Sequence, residues 1–250
     1  MAHKEVLNDS VKPYNDRESK THQLRNMFNT ISKDYDFFNN LMSWGLAHLW
    51  RRKAMRWLHD YRTETLLDIA TGTADMLLLA DQLLSPEVLR GIDISEEMMN
   101  VGWEKLKSHR LDHKTELEVM DCAEMKFADS TFDTVTIAFG IRNLERLTQS
   151  LEQINRVLKT NGRFLIIEMN EPQKGPLAVL YKIYVKLYVQ LATGLLSKDK
   201  EAYAYLTKSM HYFPQGKALI EILTDHDFRL LKYKSFTFGV CSAYLLEKTN

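Results

Sequence analysis

From Leu66 to its end the chain alternates short apolar runs with stretches of helical periodicity, which restricts it to an α/β fold built on a mostly parallel sheet. LLDIA (66–70), VLRGIDI (88–94), ELEVM (116–120), FDTVTIAF (132–139) and RFLIIEM (163–169) read as strands. Helical patterns fill 76–84, 96–107 and 149–158, and Asn161-Gly162 reads as the stop of the last one. RLLKYKSF (229–236) and VCSAYLLEK (240–248), parted by Thr237-Phe238-Gly239, predict an antiparallel hairpin at one sheet edge. Two segments stand outside the alternation: an aromatic-rich helical region over 19–61 and an insertion that starts at 176. The reading is one domain of 250 residues, with a helical cap (19–61), a cofactor-binding core (62–175), a helical insertion (176–214) and a C-terminal helix and hairpin (215–250).

Charge narrows the function. Lys plus Arg and Asp plus Glu both number 33, so nothing in the bulk composition invites nucleic acid. The two cysteines, Cys122 and Cys241, have neither CxxC nor metal-ligand spacing and read as reduced thiols. The polar N-terminus lacks an apolar signal core, and no apolar stretch is uninterrupted for long enough to span a bilayer. A cytoplasmic protein is expected.

In open parallel sheets, ligands bind at the carboxyl ends of strands where the strand order reverses. The loop after the first strand, LDIATGTAD (67–75), is not a dinucleotide fingerprint: Gly72 is present, but Ala74 and Leu77 stand where further glycines would be. No Gly-Lys-Ser/Thr follows, so a P-loop is excluded. Asp68, Asp93 and Asp121 end three successive strands, with Cys122 beside the last. Three acids without a phosphate cradle suit a cofactor that carries ribose, adenine and a cationic head, namely S-adenosylmethionine. Turn and cap aspartates are the alternative for any one of them.

AFGIRNLE (138–145) sets Arg142 and Asn143 at the mouth of an apolar strand, where a charge is costly without a partner. One reading turns the pair toward a reacting ring. The other pairs Arg142 with a carboxylate such as Glu168 and fastens the sheet edge.

These residues carry a resemblance. MFNTISKDYDFFNNLMSWG (27–45), GIDISEEMM (91–99), FADSTFDTVTIAFGIRNLER (127–146), RVLKTNGRFLIIEMNEP (156–172) and YAYLTKSMHYFP (203–214) are similar to the ubiquinone/menaquinone-biosynthesis C-methyltransferases, most closely the demethylmenaquinone methyltransferases. The resemblance runs from about Met27 to Lys248, and FGIRN, KDYDFFNNLMSWG and YAYLTKS are its specific stretches. It implies a Rossmann-like class I methyltransferase fold with seven strands, the last antiparallel. It implies S-adenosylmethionine held by Thr73 in the first loop, Asp93 at the ribose and Asp121-Cys122 at the adenine; Gly72 in the turn and Asp68 at the strand end, read from the residues themselves, complete the expected cofactor-binding set. It implies C-methylation of demethylmenaquinol to menaquinol, with Arg142, Asn143 and Tyr35 as catalytic residues and the Tyr35 segment as a lid. No metal is needed. A benzoquinol acceptor, another small aromatic lipid, and a non-catalytic cofactor-binding scaffold are the alternatives. Ala74, Ala138, Ala47-His48 and Tyr244 depart from the family pattern of glycine, serine, His-Arg and histidine.

LAVLYKIYVKLYVQLATGLL (177–196) is nearly all apolar, with Lys182, Lys186 and Gln190 four apart on one helical stripe. A peripheral contact with the inner face of a membrane, a homodimer interface and a core helix with one wet face are the three uses open to it.

Overall fold

A computed structural model describes residues 11–15, 17–32, 35, 36, 43, 45–172, 179, 183 and 200–249. Helices α1 (Lys20–Ile31) and α2 (Leu46–Met55) precede an alternating core: β1 (Thr65–Ile69), α3 (Asp75–Leu84), β2 (Val88–Asp93), α4 (Glu96–Ser108), β3 (Thr115–Val119), β4 (Phe132–Ala138), α5 (Leu147–Val157) and β5 (Leu158–Met169). After α6 (Lys200–Tyr212) and α7 (Lys217–Thr224) come β6 (Phe228–Phe236) and β7 (Cys241–Lys248). The sheet has seven strands in the order β3-β2-β1-β4-β5-β7-β6. β1 to β5 are parallel, and β7 lies antiparallel between β5 and β6, as the hairpin reading expects.

Period-two alternation builds two cores, one on each face. Leu67, Ile69, Val135, Ile137, Phe164 and Ile166 pack with Leu151 and Ile154 of α5 and Leu219 and Leu223 of α7. Leu66, Leu165, Ile167, Ala243 and Leu245 pack on the other face with Trp50 and Ala54 of α2 and Leu77 and Ala80 of α3. The chain runs outward through β1, β2 and β3, then crosses to β4 on the far side of β1. That reversal opens a crevice at the carboxyl ends of β1, β2 and β4.

One boundary differs from the sequence reading. Asn161-Gly162 does not stop the helix: α5 ends at Val157, because Leu158 already pairs with Phe132 of β4. Residues 159–162 then form an irregularity before Arg163 resumes the ladder opposite Thr134, and Asn161 takes the left-handed turn (φ 59°) inside it. The expected helix over 177–196 lies outside the described residues, apart from Val179 and Ile183.

The loops that frame the crevice meet at Gly140. A Cβ there would stand 2.6 Å from the Ala70 Cβ and 3.3 Å from Ile137 Cγ1, neither of which can swing away. Gly140→Ala is therefore expected to cost about 1–3 kcal/mol by overpacking. A urea titration checks this, and an unchanged midpoint would contradict it.

Candidate active site

The crevice encloses about 680 Å³, part of it open to solvent. Its floor is Ile69, Ala70 and Gly72 from β1 and its loop, Ile92 and Asp93 from β2, and Met120, Asp121 and Cys122 after β3. Ala138, Phe139, Gly140 and Asn143 close it from β4, and Thr21, Phe28 and Tyr35 roof it from the N-terminal region. Ala70 and Phe139, the turn residues past β1 and β4, both adopt left-handed backbone (φ 52° and 61°). Such conformations cost about 1–3 kcal/mol for a residue with a side chain and collect at functional sites.

Carboxylates dominate the charge of this wall. Asp93, Asp121 and Glu145 line it, and among the described residues neither Lys nor Arg does. Asp93 is buried, accepts from the Gly72 N–H (2.9 Å) and the Ser95 N–H (2.8 Å), and burial pushes its pKa up. Gly72 is left-handed (φ 52°), and a Cβ there would press on the Met98 side chain at 3.2 Å, so the loop passes tightly over the start of α4. Asp121 accepts from the Ala123 N–H at 2.9 Å and pairs with Arg146 at 2.9 Å. Burial pushes the Cys122 thiol up to about 12, so Cys122 lines the site as an apolar surface and not as a nucleophile.

Asp68 and Thr73 are not on the wall. Strand alternation turns Ile69 toward the crevice and Asp68 to the opposite face, where it accepts from the Thr136 hydroxyl at 2.6 Å. Thr73 donates to Asp36 at 2.6 Å. Asp36 also pairs with Lys105 (2.5 Å), Lys105 with Asp75 (2.9 Å), and Asp75 with Arg51 (2.9 Å). Burial alone would raise the Asp75 carboxyl, yet Arg51 and Lys105 hold it below the usual range. This chain of ion pairs ties the cap residue Asp36 to the start of α3.

Arg142 is buried behind Asn143. Its Nη1 pairs with Glu168 Oε1 and donates to the Phe139 carbonyl at 2.8 Å, while its backbone N–H reaches Glu168 Oε2 at 3.3 Å. The Met169 N–H adds a further bond to Glu168 at 2.7 Å. Burial disfavours the guanidinium charge, but Glu168 outweighs it, with smaller help from Tyr205 and Tyr35, and lifts Arg142 above its ordinary value. Of the two readings of this residue, the structure shows the pairing with Glu168: Arg142 does not line the crevice as the ring-facing reading has it, and its guanidinium Nε is buried without an acceptor among the described residues. Asn143 does face the crevice, and its Oδ1 accepts from the Tyr205 hydroxyl at 3.0 Å. Burial holds the Tyr205 proton on, so the hydroxyl is the donor and fixes which way the amide points.

Sequence reasoning passed over three residues that complete this arrangement. Glu145 accepts from the Lys20 and Thr21 N–H groups (2.8 and 2.9 Å) and so caps α1. Lys20, wholly buried, sends its ammonium to the Arg142 carbonyl at 3.0 Å. Tyr205 belongs to YAYLTKS, a stretch whose specificity was legible while its contact was not. Glu145 and Lys20 carried no signal, since a polar residue at a helix start ordinarily faces water.

A seven-stranded sheet with this order and an acid-lined crevice at its switch point defines a Rossmann-like methyltransferase fold. The comparisons agree. A "SAM dependent methyltransferase from Aquifex aeolicus" superposes with a TM-score of 0.54 at 20% identity, covering 74% of this chain and 82% of that one. The ubiE/COQ5 methyltransferase family matches residues 16–248, and the chain belongs to it. It is an S-adenosylmethionine-dependent methyltransferase. A Bacteroides fragilis protein named demethylmenaquinone methyltransferase is 41% identical over 240 residues, 96% of this chain and 98% of the relative. A Porphyromonas gingivalis protein of the same name is 35% identical over 238 residues, covering 95% and 97%.

Burial raises the Asp68 carboxyl to about 7. A group that binds its proton more tightly when folded stabilises fully below its unfolded value, near 3.8, and loses that contribution as pH rises through about 7. Asp68→Asn should therefore gain on the parent protein across that window, by at most about 4 kcal/mol. Denaturant melts at both ends of the window test this. A pH-independent difference would contradict it.

Proposed function

We propose that this protein transfers a methyl group from S-adenosylmethionine to a ring carbon of demethylmenaquinol, producing menaquinol. The observation that carries the reading is the wall itself: three carboxylates and, among the described residues, no cation, with Asn143 and Tyr35 facing the same space. A pyrophosphate would be repelled there, whereas a sulfonium and an ammonium are welcome. Asp93 holds the ribose, and Asp121 with Cys122 forms the adenine end. Gly72 brings the backbone close to the methionine end, while Asp68 and Thr73 act from behind the wall by fixing the first loop. When bound, S-adenosylmethionine supplies a methyl group on a positively charged sulfur. The relatives' names support the quinol as acceptor.

A quinol becomes nucleophilic at carbon as its hydroxyl loses a proton. Asn143, with its Oδ1 occupied by Tyr205, offers its Nδ2 hydrogens to the quinol oxygen and stabilises the charge that develops. Arg142 cannot act as a base, because its proton is held too tightly. From behind the wall it contributes positive charge that favours the phenolate over the quinol. Tyr35, held edge-on to Phe28 with centroids 6.0 Å apart, excludes water from above and lies close enough to feel the Arg142 charge. Opposite charges cancel during transfer, so alignment and exclusion of water are the protein's main contributions. The finer reading is a cytoplasmic enzyme at the inner face of the membrane. Among the described residues no helix is long and apolar enough to cross a membrane.

The test incubates the protein with methyl-labelled S-adenosylmethionine and a reduced, short-tailed demethylmenaquinol, with a demethoxy-benzoquinol in parallel. Label on the naphthoquinol ring carbon is the expected result. Asn143→Ala should lower kcat by about 10²-fold with cofactor affinity by calorimetry unchanged. Label on the benzoquinol alone, or none on either acceptor with cofactor bound, would overturn the assignment.

A further inference from the structure

The far edge of the sheet carries a feature that the crevice does not use. β6 runs in the same direction as β1 and β4, so its turn into β7, Thr237–Gly239, lies on the same rim as the crevice. β6 is three strand positions beyond β4 in the sheet order, roughly 15 Å along the rim. At the tip of the turn, Phe238 is 79% exposed and left-handed (φ 55°), between Thr237 (φ 45°) and Gly239 (φ 99°). A bulky side chain in that conformation is strained. With so little of it covered, Phe238 returns almost nothing to the stability of the isolated chain.

Cations and aromatic rings surround this turn. Trp50 of α2 donates its indole N–H to the Thr237 hydroxyl at 2.9 Å, anchoring the turn to the helix. Trp57 stacks on Phe236 with centroids 6.3 Å apart. The Lys232 ammonium lies 4.8 Å from the Trp57 ring, and that of Lys234 lies 5.9 Å from the Phe236 ring. LAHLWRRKAMRWL (46–58) and FRLLKYKSF (228–236) contain no acid at all. Lys53, Arg56, Lys232 and Lys234 are exposed, while Arg51 is drawn inward to Asp75. Leu49, 41% exposed, shares the outer face of α2 with Lys53. In a chain with equal numbers of acids and bases, this excess is local.

We propose that the face formed by α2, the edge strand β6 and the β6–β7 turn docks on an anionic lipid bilayer. Phe238 inserts below the headgroups, and Lys53, Arg56, Lys232 and Lys234 meet the lipid phosphates. Lysines stacked on aromatic rings at the polar boundary, with an apolar tip beyond them, are the chemistry of an interfacial contact. The inference rests on the proposed prenylated substrate for its purpose: docking sets the crevice rim against the layer that holds the prenyl tail. The binding itself needs no turnover.

The full chain is sedimented with vesicles of phosphatidylcholine alone and of a phosphatidylcholine–phosphatidylglycerol mixture. Binding is expected to the anionic vesicles, with release as salt is raised. Lys232→Ala with Lys234→Ala should weaken it roughly thirty-fold. Phe238→Gly suits the left-handed turn, so its thermal stability should hold or rise, and its vesicle affinity should fall about ten-fold or more. Each variant should methylate a short-tailed soluble quinol at the parent rate, because none touches the crevice. Equal sedimentation with both vesicle types overturns the docking face. So does binding that neither variant weakens, which would assign the contact elsewhere, to 177–196 for instance. A protein that binds vesicles as described yet methylates neither quinol would overturn the substrate assignment alone.

Discussion

The ion pair between Arg142 and Glu168 is the interaction on which the site depends. Both side chains are buried, and such a pair repays its desolvation only where further hydrogen bonds meet most of its polar atoms. Glu168 satisfies that condition with the guanidinium and two backbone N–H groups. The pair fastens the loop after β4 to the end of β5. From that loop Asn143 reaches Tyr205, Glu145 caps α1, and Arg146 steadies Asp121. One anchored turn therefore sets Asn143, the roof and Asp121 together. Removing one partner of such a pair costs about 3–5 kcal/mol, since the other charge is left stranded.

The roof is held at a second point by a separate network. Asp36 joins Thr73 and Lys105, so the cap touches both the loop after β1 and α4. With Glu145 and Lys20 at the other end of α1, the N-terminal region closes the crevice through charge-assisted bonds.

The strands were legible because period-two burial leaves an unambiguous signature, as in Leu165 and Ile167 against Phe164 and Ile166. The crevice position followed from that pattern, and Asp93, Asp121, Cys122, Gly72, Asn143 and Tyr35 do converge on it. Asp68 could not be separated from Asp93 in the sequence: Asp68 pairs with Gly91, so Asp93 lies two positions further toward the carboxyl rim, and only Asp93 reaches the crevice. Asn161-Gly162 looked like a helix stop because its turn chemistry is the same in a strand irregularity. Glu145 and Lys20 were illegible for another reason: their partners lie more than a hundred residues away in the chain, and only the folded loop brings them together.

The central claim is that the Arg142–Glu168 pair holds Asn143 and Tyr35 in register for carbon methylation. The most direct test is Glu168→Gln, with folded fraction measured by circular dichroism, cofactor affinity by calorimetry and label transfer to the naphthoquinol scored per folded molecule. The account predicts retained cofactor binding and a loss of transfer of about 10²-fold or more, because a misplaced catalytic loop costs at least that much. Transfer at the parent rate by folded Glu168→Gln would contradict it.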